Sequence, residues 1–239
     1  MMLSLIIPAR EEEKQIEATI RQFEDLSIPH EVIISDDGST DKTVEIAKRF
    51  ANTVLTYQGD THVISRARNA GVRASKGDVL VFMDSDSHIP EPNKFFARAL
   101  EHFEKDSSLV ALASPQRVRP ELERTGDTFV YGLDNLINRF FNNVLHHGAG
   151  AGKCIIVKRD AFEKIKGFRE DLIFREDGDL LKRLSKIGRT YMDPQMVAYH
   201  SGRRIHRLGI PRFYWLWFIN GLYGLLFNHS RVKEWTPIR

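Results

Sequence analysis

Three acidic clusters in this 239-residue chain stand where carboxylates can do chemistry. Asp36 and Asp37 follow the apolar run Val32-Ile33-Ile34, and Asp84-Ser85-Asp86 follows Val79-Leu80-Val81-Phe82-Met83. Glu176 and Asp177 open a segment with Leu180, Leu181, Leu184 and Ile187 at helical spacing. Two carboxylates one residue apart on a loop can share a hard divalent cation whose other positions go to water and phosphate. Such an ion suits a diphosphate leaving group, because it neutralises charge developing there. One Asp pair alone is ordinarily a turn or a helix cap. A pair at the end of the most apolar strand lies where open α/β sheets bind their ligands. Three other motifs fail. Asp84 to Ile89 lacks the Gly and distal Glu of an EF-hand loop. Gly148 to Cys154 resembles a P-loop, but His147 replaces the first Gly, Cys154 replaces Ser or Thr, and a strand follows. The Gly-x-Gly-x-Gly spacing of the same run lies far from the first βα turn, where a dinucleotide fingerprint belongs.

The elements that must position these acids alternate. Leu3–Ile7, Glu31–Ser35, Val54–Tyr57 and Val79–Met83 read as strands. Between them come helical patterns at Ile16–Leu26, Val44–Phe50 and Ser65–Ser75. Strands and helices at this pitch predict βαβ units and a mainly parallel sheet. Leu109–Ala113, Cys154–Val157 and Met196–Tyr199 are further strands, and Asp177–Ile187 a further helix ended by Gly188. Pro115–Arg124 is a polar, Arg-rich loop, and His146–Gly152 a glycine-rich one. Phe129, Leu133, Leu136, Ile137, Phe140, Phe141 and Val144 form an apolar stripe at helical spacing, read as a helix packed on the sheet.

Composition sets the outer bounds. Hydrophobic residues are 42% and charged residues 28%, which excludes a disordered or fibrous chain. Thirty-five Lys and Arg against 32 Asp and Glu leave +3, too small an excess to call for nucleic acid. The single cysteine, Cys154, cannot form an internal disulfide, which fits a reducing compartment. The run Leu3–Ile7 is too short for the apolar region of a signal peptide, and no stretch reaches the roughly 18 apolar residues a membrane-spanning helix needs. Phe213 to Phe227 comes near. Three readings compete for it, a helix buried against the sheet domain, a dimer surface and a membrane interface; its Trp and Tyr residues suit the interface, and Arg203, Arg204, Arg207 and Arg212 before it suit anionic headgroups.

Taken in order, the segments Leu3–Glu13, Val32–Asp41, Ala67–Gly71, Gly77-Asp78, Phe82–Asp86, Gly167–Glu170 and Glu176–Leu184 resemble a family-2 glycosyltransferase of the glycosyltransferase A fold, over roughly residues 1 to 200. The resemblance implies an α/β fold: a Rossmann-like, mainly parallel sheet flanked by helices, here with a C-terminal aromatic helical segment. It implies one domain over 1–210, divided into a nucleotide-sugar-binding half (1–105) and an acceptor-binding half (106–210). A hydrophobic tail at 211–239 would follow. It also implies metal-dependent, inverting transfer of a sugar from a nucleotide-diphosphate sugar to a hydroxyl of a glycan, glycolipid or polysaccharide precursor, as in cell-envelope or glycolipid biosynthesis. By the same resemblance Pro8, Ala9, Arg10 and Glu12 border the nucleoside, and Asp37, with Asp36, contacts base or ribose. Arg66, Arg68 and Asn69 close over the nucleotide. Asp84 and Asp86, with Ser85 between them, touch ribose and hold Mn2+ or Mg2+, and His200 adds a metal or phosphate contact. Asp177 is the base, with Glu176 beside it. The partners implied are a UDP- or GDP-sugar, a glycan or lipid-linked acceptor, and a membrane surface through 203–227, for a cytoplasmic protein peripheral to the membrane's cytoplasmic face.

Two departures from the family pattern matter. Glu11 stands where many relatives carry Asn, and Ser65-Arg66-Ala67-Arg68-Asn69 replaces the Arg-Lys-Gly-Leu-Gly type segment of polyprenyl-phosphate sugar synthases. A sugar, glycolipid or polysaccharide acceptor is therefore expected before a polyprenyl phosphate. Two alternatives compete: a phosphohydrolase of the haloacid dehalogenase type, whose motif would sit on the first strand and lack His88, and a non-catalytic nucleotide-sugar or glycan-binding module.

Overall fold

The structure is a computed structural model that describes residues 1–150 and 153–227. Its strands are β1 (Leu3–Ala9), β2 (His30–Asp36), β3 (Thr53–Thr56), β4 (Val79–Met83), β5 (Leu109–Ala113), β6 (Gln116–Val118), β7 (Cys154–Lys158), β8 (Arg189–Met192) and β9 (Ala198–His200). Its helices are α1 (Ile16–Arg21), α2 (Thr43–Phe50), α3 (Ile64–Ala74), α4 (Pro92–Lys105), α5 (Asp127–Asn143), α6 (Arg159–Lys164), α7 (Glu176–Leu184), α8 (Arg203–Leu208) and α9 (Ile210–Phe227).

Seven strands form one sheet in the order β3-β2-β1-β4-β7-β5-β8, so strands from before and after residue 105 share it. All neighbours pair parallel except β7, which runs antiparallel to both β4 and β5. Alternation along each strand divides the apolar side chains between two cores. Leu3, Leu5, Ile7, Val81 and Met83 face α1, α2 and α4. Ile6, Leu80 and Phe82 face α3, α6 and α7. The near-continuous apolar runs follow from burial on both faces.

Three parts of the second half differ from expectation. The last strand begins at Ala198, not Met196, and pairs with β6 in a separate two-stranded sheet. Part of the expected Arg-rich loop is therefore a strand. The chain after Gly188 adds β8 to the edge of the main sheet, a strand too short and polar to stand out. The largest correction concerns α5. Its stripe does not pack on the sheet: Phe129, Leu136 and Phe140 are 75%, 58% and 49% exposed. The buried face instead carries Val130, Tyr131 and Asn142, and is tied down by polar contacts. Asn135 exchanges two hydrogen bonds with the Gln116 backbone, and Asn143 two with that of Met192. Periodicity marked the amphipathic helix, but asparagines satisfying strand-edge groups, not leucines, chose the inward face.

α9 confirms the aromatic C-terminal helix, and residues 228–239 of the expected tail lie outside the described residues. Among the described residues no helix is long and apolar enough to cross a membrane.

Candidate active site

The parallel register brings the acidic clusters to one edge. Ala9 lies beside Asp36, and Ile6 beside Phe82, so the residues after β1, β2 and β4 emerge together at the carboxyl end of the sheet. A cavity of about 510 Å³ opens there. It is lined by Pro8, Ala9, Arg10, Glu12, Asp37, Asp84, Ser85, Asp86, Glu176, Asp177 and His200 from the expected set.

Arg68 organises its floor. The side chain, from α3, is 1% exposed. It donates to Asp84 Oδ1 at 3.1 Å, Glu176 Oε1 at 3.2 Å and Asp177 Oδ1 at 2.6 Å. The guanidinium also lies 5.1 Å from the Phe168 ring centroid. A buried guanidinium is costly unless paired, and this one has three carboxylate partners. They hold it in its charged form despite burial.

Lys153 was not anticipated as part of the site. The antiparallel β4–β7 register sets Met83 beside Cys154, so Lys153 falls opposite Asp84. Its Nζ donates to Asp84 Oδ2 at 2.8 Å and lies 3.6 Å from Asp86 Oδ1. Arg203 adds a third cation. It grips Glu12 through both guanidinium ends and sets Nε 3.6 Å from Asp86. Asp86 is 3% exposed, yet Lys153, Arg203 and the Ser201 hydroxyl outweigh burial and hold its carboxyl far below the usual range.

The pair at the start of α7 behaves oppositely. A helix N-terminus alone would favour the charged carboxylates. Burial prevails here. It pushes Glu176 up to about 8, with Asp177 adding to the rise and Arg68 opposing it. Burial also raises Asp177, against Arg68 and with help from Asp84. A raised carboxylate is a better proton acceptor near neutrality. The glycine-rich loop packs directly on this helix. A Cβ on Gly148 would stand 1.9 Å from the Leu181 carbonyl oxygen, so only glycine permits the approach. His147 of the same loop lines the cavity, whereas His146 does not.

Other expected residues sit behind the cavity wall. Asp36 uses Oδ2 to accept from the Gly38 and Ser39 amides at 3.1 and 3.0 Å, which fixes the turn presenting Asp37. Asp37 itself faces the cavity, with burial raising its carboxyl and His62 Nδ1 3.6 Å away opposing the rise. Arg66 stacks 4.6 Å over the Tyr57 ring and donates to the Thr61 carbonyl. Asn69 brackets Phe168, donating to its carbonyl at 2.9 Å and accepting from its amide at 3.0 Å. Neither Arg66 nor Asn69 lines the cavity. Glu11, at φ 57°, spends its carboxylate on Thr40.

Among the described residues no group of three or more His, Cys, Asp or Glu is placed to hold a metal ion, so a cation at the Asp84–Asp86 pair would draw its other donors from water and phosphate. Asp84 and Asp86 already draw an ammonium between them, a stand-in for a harder ion. His200 is differently placed. Its Nδ1 accepts from the Gly202 amide at 3.0 Å, which puts the proton of the neutral ring on Nε2. Burial and Lys153 push this imidazole down to about 3, so it stays neutral. Nε2 is buried without a hydrogen-bond partner among the described residues. In this tautomer His200 offers a donor, not a metal ligand.

The family model described as glycosyl transferase family 2 matches residues 4–166. An uncharacterized glycosyltransferase of Haemophilus influenzae is 27% identical over 77% of the chain and 62% of its own length. The succinoglycan biosynthesis protein ExoA of Rhizobium meliloti is 26% identical over 90% of the chain and 66% of its own length. The chain thus spans about two thirds or less of these relatives. In fold it is similar to the mannosyltransferase PcManGT from Pyrobaculum calidifontis, solved with GDP-Man and Mn2+, at TM-score 0.66 and 20% identity, covering 94% of this chain and 61% of that one. It is also similar to residues 1–349 of S. aureus TarS, solved with UDP-GlcNAc, at TM-score 0.67 and 18% identity, covering 98% and 68%.

Proposed function

The chain belongs to glycosyl transferase family 2, and from that premise we propose that it moves a sugar from a nucleotide-diphosphate sugar to a hydroxyl acceptor with inversion at the anomeric carbon. Family membership replaces the haloacid dehalogenase alternative. The observation that carries the reading is the gathering of Asp84, Glu176 and Asp177 on one buried Arg68 at the ligand-binding edge of the sheet.

Residues before about 105 supply most of the donor site, Lys153 and His200 join it from the second half, and the rest of that half binds the acceptor. Pro8, Ala9, Arg10 and Asp37 border the nucleoside. Asp36, Arg66 and Asn69 hold the turns around it without touching it. Asp84 and Asp86 would hold Mn2+ or Mg2+, which when bound neutralises charge on the diphosphate. Lys153 and the His200 Nε2–H face the same negative charge as donors. The acceptor oxygen attacks the anomeric carbon as the bond from that carbon to the diphosphate oxygen breaks. Asp177 takes the hydroxyl proton, and Arg68 keeps its carboxylate oriented. The acceptor is a glycan or a lipid-linked sugar.

Asp177→Asn tests the assignment. Release of UDP or GDP from a panel of nucleotide sugars, with water as acceptor, should fall by about a hundredfold or more while nucleotide binding is kept. Unchanged release would remove Asp177 from the mechanism.

A further inference from the structure

We propose that the protein docks on an anionic lipid bilayer through the outer face of α5 and the exposed first turns of α9, with the mouth of the active-site cavity at the level of the headgroups. The exposed positions of α5 include six large apolar side chains, Phe129, Leu133, Leu136, Ile137, Phe140 and Phe141, between 37% and 75% exposed. Its one exposed charge is Arg139. Val144 and Leu145 prolong the stripe past the helix end, at 59% and 51% exposed. An apolar surface of this extent facing water marks an interaction site.

α9 continues it. Val130 and Tyr131 of α5 join Ile205 in a small core against which Ile210 and Phe213 pack, so the two helices are neighbours. Tyr214 and Trp215 are 40% and 62% exposed beside it. Amphipathic rings of this kind are enriched where hydrocarbon meets water.

Two observations select a bilayer over a protein partner. The first is charge. From residue 194 to 227 the chain holds four Arg and no Asp or Glu; contrary to expectation Arg203 and Arg204 turn to the cavity, Arg203 onto Glu12 and Asp86, which leaves Arg207 and Arg212 for a surface. Arg207 and Arg212 are exposed there. The acids of α5 face inward, Asp127 against His206 and Asp134 against Gln116 and Asn138. Exposed Arg139, Arg207 and Arg212 outnumber Glu123, the exposed acid at the start of α5, and complement anionic headgroups. The second is access. Ile137 and Phe141 belong to the exposed stripe and also line the cavity. A second copy seated on them would obstruct the entrance, whereas fluid lipid would leave it open.

Flotation of the full chain with vesicles of phosphatidylglycerol and phosphatidylcholine tests this. Wild type should float with them, less so at high salt and less with phosphatidylcholine alone. Leu136→Glu combined with Phe140→Glu changes only exposed side chains. It should lower the bound fraction about tenfold or more with an unchanged circular dichroism spectrum and unchanged nucleotide binding. A wild type that stays with the soluble fraction, or a variant that floats equally, overturns the proposal. So does a wild-type dimer that the same substitutions dissociate, which would assign the face to a second copy. Nucleotide binding is read separately, so its absence would count against the transfer reading and not against docking.

Discussion

Replacing Arg68 with Met removes the guanidinium that Asp84, Glu176 and Asp177 share, while keeping most of the aliphatic volume. The Arg68 side chain is 1% exposed, and its three partners are 23%, 11% and 16% exposed. Removing one side of a buried ion pair costs about 3–5 kcal/mol. The partial exposure of the carboxylates argues for the lower end, about 3 kcal/mol at pH 8. For a chain of this size that corresponds to roughly 6–12 °C in melting temperature. The deficit must depend on pH. Without Arg68, the folded-state pKa values of Glu176 and Asp177 rise further above their unfolded values of about 4. The variant therefore loses stability as pH rises above that value, and its deficit narrows as pH falls toward it. Urea unfolding followed by far-UV circular dichroism at pH 5 and pH 8 reads both quantities. Adding Glu176→Gln and Asp177→Asn to Arg68→Met should recover at least half of the loss, because the uncompensated charges are gone. A deficit below about 1 kcal/mol, or one equal at both pH values, would refute the claim that Arg68 holds the site by neutralising it.

Further outcomes follow from the same geometry. Glu176, pushed up to about 8, binds its proton more tightly folded than unfolded, so it contributes stability that is lost as pH rises from about 4 toward 8. Glu176→Gln should flatten that slope in urea titrations at pH 5, 7 and 9, and parallel curves would contradict it. Lys153→Met removes the ammonium between Asp84 and Asp86. It should weaken nucleotide-diphosphate binding measured in EDTA, and equal affinity would show that Lys153 does not meet the phosphates. Gly77→Ala would place a Cβ 2.7 Å from the Met2 carbonyl oxygen and 2.8 Å from the Leu3 carbonyl carbon. It should cost about 1–3 kcal/mol, read as a lower thermal midpoint; an unchanged midpoint would contradict that clash.

The first half of the fold was legible because its signals are local. β1, β2 and β4 are apolar runs buried on both faces, and the acids that matter follow two of them directly. The same rule put Asp37, Asp84 and Asp86 at one edge before any pairing was known. What was not legible depends on contacts distant in sequence. Lys153 reaches Asp84 only because β7 enters the sheet antiparallel between β4 and β5, and nothing near Lys153 signals that pairing. Arg203 meets Glu12 from 191 residues away. Asp36 and Asp37 are chemically equivalent in sequence, and only the turn at Gly38 decides which of them faces the cavity. The α5 stripe misled for a physical reason: hydrophobic periodicity reports which residues share a face, not whether that face meets protein or something else.

Calorimetric titration of the full chain with UDP, GDP, dTDP and CMP, with and without Mn2+, reads whether this cavity takes a nucleotide-sugar donor. A nucleoside diphosphate should bind, Mn2+ should tighten it about tenfold or more, and Asp86→Ala should abolish the Mn2+-dependent part while Asp177→Asn leaves it intact. Failure of every nucleoside diphosphate to bind, with or without the metal, would contradict the assignment of this cavity to a nucleotide-sugar donor.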